Sequence, residues 1–235
     1  MIAKRMIALL VTIAALAFGL TTPAYAWSVV AGDIIKLYDG PGTTGGGEFW
    51  VDVVGKGVSG TINGSNNDFI TFCVEKNEYF SPGESLKVSA VNTAAVNGGV
   101  GGGNPDPLSP ATAWLFTQFS SGTLAGYSHT SSKANSLQRA IWYLENEIAA
   151  SDSGYAGDSQ AQAWVAAALG SGWTGIGQVR VLNLLRKDSS GNYTIAAQDQ
   201  LYIAPIPEPQ AYATMLAGLA LLGFWGARRR ALHAG

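Results

Sequence analysis

The sequence predicts an α+β fold: an antiparallel sheet or β-sandwich with a helical insert. Three observations predict it. Aromatic and β-branched runs with intervening turn residues recur from 33 to 91. The hydrophobic period then turns helical between 109 and 169. Strand character returns from 178 to 203. Strands, a block of helices, then strands again is the order of helices packed against, or inserted into, an antiparallel sheet.

Each element has a local reason. Asp33 to Tyr38 alternates weakly, and the Gly-rich stretch 39–47 after it reads as a loop. Glu48 to Val54 and Phe69 to Glu75 are rich in aromatic and β-branched residues, with Asn66-Asn67-Asp68 as the turn before the second run. Ser81-Pro82-Gly83 is a further turn, and Leu86 to Val91 a further strand. Residues 97–107 carry glycines and two prolines but no lysine, so they do not fit a phosphate loop and read as a flexible linker between subregions. Ser109 and Pro110 form an N-cap and first helical position for a short helix, Ala111 to Phe119. Lys133 to Ile148 is the strongest helix, with Leu137, Ile141, Leu144 and Ile148 on one face. Asp158 caps a third helix, Ser159 to Leu169, which Gly170 ends. Gln178 to Leu185 and Tyr193 to Ile203 flank Asp188-Ser-Ser-Gly191 as a hairpin.

Both ends of the chain are processing segments, which divides it into 1–26, a body at 27–204, and 205–235. Lys4 and Arg5, the apolar run Met6 to Leu20 and the Ala24-Tyr25-Ala26 site make residues 1–26 a secretory signal peptide. At the other end, Pro207-Glu208-Pro209 cannot continue a helix or a ladder. Residues 211–227 are uncharged and mostly Ala, Leu and Gly. That run is near the short end of the roughly 17–25 residues that span a bilayer core. Arg228, Arg229 and Arg230 would stay on the cytoplasmic side, so the body faces outward. Pro-Glu-Pro, an apolar helix and an arginine cluster, in that order, resemble the PEP-CTERM sorting tail of Gram-negative surface and secreted proteins. The resemblance implies an exosortase as partner and passage through the inner membrane. It also implies cleavage near the Pro-Glu-Pro step and delivery to the cell surface or an extracellular polysaccharide matrix.

Removing the ends changes the charge. Nine basic residues remain in the body, and all 16 acidic residues lie between 27 and 209, so the exported part is near −7 while the whole chain is −2. An acidic body rich in Gly, Ser, Thr and Asn points away from nucleic acid and anionic membranes. A single cysteine excludes an internal disulfide.

That cysteine lies in Phe72-Cys73-Val74-Glu75, and a glutamine lies in Leu137-Gln138-Arg139-Ala140-Ile141-Trp142. These steps resemble the thioester domains of bacterial surface adhesins. In those domains an aromatic-Cys-apolar strand is cross-linked to the glutamine of a Gln-x-Ala-apolar-Trp step at a helix start. The resemblance implies Cys73 as the sulfur, Gln138 as the acyl carbon, and Phe72 and Trp142 as the apolar cover. It also implies an amine-bearing surface ligand. The family's common form has Thr before the glutamine, where this chain has Leu137.

Plainer readings stand beside this one. Cysteine is among the most buried residue types, so Cys73 is also readable as inert core. Gln138 is also readable as a solvated flank, with Leu137, Ile141 and Trp142 as core. The body is then a non-reactive structural or polysaccharide-binding matrix component, with Trp50, Trp164 and Trp173 as candidates to stack on sugars. A Cys73–His129 pair lacks any hydrolase motif, and Glu75, Glu78, Glu145 and Glu147 read as solvated surface. Metal ligands are absent in any known spacing, since one cysteine and one body histidine cannot make a zinc site, so no metal is expected. No cofactor and no enzymatic activity are expected.

Overall fold

A computed structural model describes residues 28–42, 46–56, 61–62, 65–66, 69–205, 216–220 and 222. The body is the unit Ser28–Ile206. Period-two burial builds its sheet. β1 (Ile34–Asp39) buries Ile35 and Leu37, and β2 (Phe49–Val53) buries Phe49, Val51 and Val53. The two pair antiparallel from Ile35↔Val53 to Asp39↔Phe49, so the Gly-rich stretch between them is a hairpin loop. Two short ribbon strands follow, β3 (Thr61–Ile62) and β4 (Ser65–Asn66). Next come β5 (Phe69–Thr71) and β6 (Ser85–Asn92), then a second ribbon, β7 (Ala94–Ala95) with β8 (Asp106–Pro107). The helical block is α1 (Pro110–Ser120), α2 (Ser131–Leu144), α3 (Ser153–Ala156) and α4 (Ser159–Leu169). The hairpin β9 (Val179–Lys187) and β10 (Tyr193–Ile203) completes the chain.

The main sheet has six strands in the order β10-β9-β6-β1-β2-β5, with every neighbour antiparallel. The fold is therefore mixed α+β, and a sandwich of two large sheets is not what forms among the described residues. The sheet curls until its two end strands meet. Leu201 N donates to Phe72 O at 3.0 Å, Val74 N donates to Asp199 O at 3.0 Å, and Cys73 pairs with Gln200 between them. This seam satisfies backbone groups that an open edge would leave to solvent. It also explains why β5 stops at Thr71, short of the expected Glu75.

α1 and α4 begin where the sequence places their caps, while α2 starts at Ser131, two residues before the expected Lys133. Ser109 Oγ accepts from Thr112 N at 3.1 Å, and Asp158 Oδ1 accepts from Ala161 N at 3.0 Å. α2 buries Leu137 and Ile141 on one side and Gln138 and Trp142, one turn apart, beside them. It ends at Leu144 rather than Ile148. Asn146 turns left-handed at φ 63°, which directs the carboxylates on either side of it into the body. Glu145 accepts from Ser109 Oγ at 2.7 Å, and Glu147 accepts from Val100 N at 2.9 Å. The stretch 97–107 is correspondingly no free linker. Glu147 holds Val100 and Gly101, Asn77 exchanges two hydrogen bonds with Gly99, and β8 pairs with β7.

The signal peptide, the Pro207-Glu208-Pro209 step and the arginines 228–230 lie outside the described residues. Most of the expected transmembrane helix does too. Residues 216–220 and 222 are helical. Among the described residues no helix is long and apolar enough to cross a membrane.

Burial pushes Glu145 up to about 7 from an ordinary 4.5; the nearby Asp106 carboxylate adds to the shift and bonds from Thr112 and Ser109 oppose it. Between those two values the folded chain holds a proton at Glu145 that the unfolded chain releases. Stability from this group is therefore present at low pH and lost as pH rises through about 7. Urea denaturation from pH 5 to pH 8 should show E145Q taking up about one proton fewer on folding than the wild type.

Candidate functional site

Three elements converge on one carboxamide. α2 supplies Gln138, the closing seam supplies Cys73, and the β1–β2 loop supplies Gly46 and Gly47. Gln138 Oε1 accepts from Gly47 N at 2.9 Å and from Cys73 N at 3.0 Å. Its Nε2 donates to Cys73 O at 2.8 Å. The side chain is 2 % exposed. A buried amide left unbonded would cost about 1–3 kcal/mol per group, so these bonds fix both its place and its orientation.

The loop fits only because it is glycine. A Cβ on Gly46 would lie 2.3 Å from Gln138 Cγ and 2.8 Å from the Trp142 ring. One on Gly47 would lie 2.8 Å from the Phe72 ring and 2.9 Å from Thr71 O. Glu48, the next residue, anchors the loop. Its carboxylate accepts from the Tyr127 hydroxyl and bonds His129 Nδ1 at 2.7 Å. Burial, then the Glu48 carboxylate, raises the Tyr127 hydroxyl, which keeps it a donor.

The Cys73 sulfur is fully buried and accepts from Gln200 Nε2 at 3.4 Å. Burial pushes its thiol up to about 12, opposed by the Gln200 amide and by the N–H groups of Gly47 and of Cys73 itself. Gly47 N and Cys73 N donate to Gln138 Oε1, and Gln200 Nε2 donates to the sulfur. Beside them a cleft of about 160 Å³ is lined by Gly46, Lys76, Gln138, Arg139, Trp142 and Asp152, among others. Lys76 Nζ lies 3.2 Å from Asp152 and 5.9 Å from the centre of the Trp142 ring.

The structure thus brings the Cys73 backbone, Gln138 and Trp142 together. Phe72 packs edge-on against Phe119 at 5.1 Å, in the core beneath Gly47. Gln138 is not the solvated flank that one reading allowed. His129 serves Glu48 rather than Cys73. Trp164 is core, with Nε1 donating to Ala125 O at 2.9 Å, while Trp50 is half-buried and Trp173 is 39 % exposed.

The acidic residues need correction. Glu75, Glu78, Glu145 and Glu147 are buried, not solvated surface. Glu75 and Glu78 gather with Asp199, one oxygen of each lying within 4.8 Å of the others. The expectation of no metal ligands rested on cysteine and histidine and overlooked this all-oxygen set. Sequence reasoning also missed Gly46, Gly47, Glu48 and Gln200 as parts of the site. The triple glycine before β2 was the available signal, but it reads equally as an ordinary turn.

Residues 205–230 match the PEP-CTERM protein-sorting motif. That motif implies an exported protein, sorted to the cell surface by an exosortase. No curated protein and no solved structure matches the chain.

Gly46→Ala should displace Gln138 or Trp142 and cost about 1–3 kcal/mol in urea denaturation. Gly175→Ala, where an added Cβ meets nothing within 4 Å, is the control and should stay within about 0.5 kcal/mol of wild type.

Proposed function

We propose that this exported protein attaches covalently to an amine-bearing surface ligand through a thioester between Cys73 and Gln138. The observation that carries the reading is the seating of Gln138 Oε1 between two backbone N–H groups, one of them that of Cys73, whose thiol is buried. Those donors are placed where negative charge would develop on the oxygen when sulfur attacks Cδ. Backbone donors of this kind contribute about 3–4 kcal/mol each in acyl transfer. Holding thiol and amide in one geometry contributes up to about 7–11 kcal/mol more.

The chemistry balances. The Cys73 sulfur bonds to Gln138 Cδ, the Cδ–Nε2 bond breaks, and the thiol proton leaves with the nitrogen as ammonia. A ligand amine then attacks Cδ, the C–S bond breaks, and the amine's proton returns to sulfur. The product is an amide on Gln138 and a free Cys73 thiol. The dry setting that raises the thiol disfavours a thiolate but not an uncharged thioester. It also keeps bulk water from the bond. The cleft beside Trp142 is the approach for the amine.

A second reading has an observation of its own. Gln138 Nε2 donates to Cys73 O, so the intact amide already completes a hydrogen-bonded clamp. On that reading Cys73 is inert and the body is a structural or polysaccharide-binding component of the extracellular matrix.

Intact mass separates the two. The purified exported chain should be lighter than its sequence by one ammonia, and methylamine should add to it once, at Gln138. C73A should show neither change. A plain-sequence mass, with one thiol alkylated only after denaturation, would contradict the thioester and leave the matrix reading.

A further inference from the structure

We propose that Glu75, Glu78 and Asp199 form a calcium-binding site beneath the Gly98–Gly99 loop. Glu75 is 1 % exposed, and neither of its carboxylate oxygens takes a hydrogen bond from an N–H or hydroxyl group; what faces it is the Glu78 carboxyl. Glu78 is 8 % exposed, and its Oε2 is likewise buried without a partner. None of the salt bridges among the described residues reaches the three. The lysine nearest in sequence, Lys76, is drawn away to Asp152. Buried carboxylates are normally paired or bound to metal, because an unpaired buried charge is costly.

The geometry suits one ion. Two oxygens sharing a calcium at about 2.4 Å can be no more than about 5 Å apart. One oxygen from each of these three residues lies within 4.8 Å of the others. The donor set is all oxygen and anionic, which selects a hard divalent cation over zinc or copper. Three irregularly placed carboxylates suit calcium's flexible coordination better than magnesium's strict octahedron. Asp199 is fixed for the purpose by Val96 N and Asn183 Nδ2 at its Oδ2 and by Leu184 N at its Oδ1. The roof is close. A Cβ on Gly98 would lie 2.3 Å from Glu78 Cδ and 2.9 Å from Glu75 Oε2, and one on Gly99 would lie 3.3 Å from Glu75 Oε1.

The consequence reaches the seam. Glu75 follows Cys73 by two residues, and Asp199 precedes its partner Gln200 by one. An ion here ties the segment after Cys73 to β10 and holds the sheet closed at Cys73. Export delivers the site to a compartment where extracellular modules bind calcium at about 10⁻⁴–10⁻³ M.

The test uses the full chain in detergent, stripped with EGTA, dialysed and titrated with calcium chloride. Calorimetry should show one ion per chain in that affinity range, and the melting temperature should rise with calcium. E75Q, which relieves the carboxylate crowding, should melt higher than wild type without calcium and show no rise with it. E78Q should fold and lose at least tenfold in affinity. No heat and no rise with wild type would overturn the site. So would a calcium response left unchanged in both variants.

Discussion

The body is organised around one carboxamide. Gln138 stands on a helix inserted late in the chain, yet its three hydrogen bonds reach the β1–β2 loop and the backbone of Cys73. Helix, loop and seam are therefore held in one place by a single side chain. Each bond is buried, so none can be exchanged for water without cost. The glycines at 46 and 47 follow from this, because only they allow the loop backbone to lie against Gln138, Trp142 and Phe72. Glu48 then secures the loop from its far side through Tyr127 and His129.

The seam gives Cys73 its setting. A six-stranded sheet that stayed open would leave Cys73 on an exposed edge. Closure onto Gln200 buries the sulfur and gives it the Gln200 amide as a donor. It also brings Glu75 and Glu78 against Asp199, which sits at the irregular register between Ala197 and Gln200 of β10. The reactive-looking pair and the crowded carboxylates are thus two products of the same chain closure. One lies on the helix side of the seam and the other beneath the Gly-rich loop.

Local chemistry made much of this legible. Ser109-Pro110, Asp158 and Gly170 fixed helix ends because capping depends on near neighbours in sequence. The hairpin at Asp188–Gly191 followed from turn residues between two β-branched runs. Cys73 and Gln138 were legible as a pair only through their resemblance to thioester domains, since nothing local links residues 65 apart. The burial of Glu75, Glu78, Glu145 and Glu147 was not legible, because a carboxylate buried by tertiary contacts looks the same in sequence as one in solvent. The same limit hid Glu48 and Gln200. The 97–107 stretch read as a linker because its partners, Glu147 and Asn77, are distant in sequence.

The sorting motif implies export and handling by an exosortase, so the function of the body turns on whether Gln138 keeps its amide. The most direct measurement is the electron density between Cys73 Sγ and Gln138 Cδ in a crystal of the exported chain never exposed to amines. A continuous covalent link, with Oε1 still held by Gly47 N and Cys73 N and no nitrogen on Cδ, is the expected result. Separate atoms, with Nε2 still donating to Cys73 O, would contradict it.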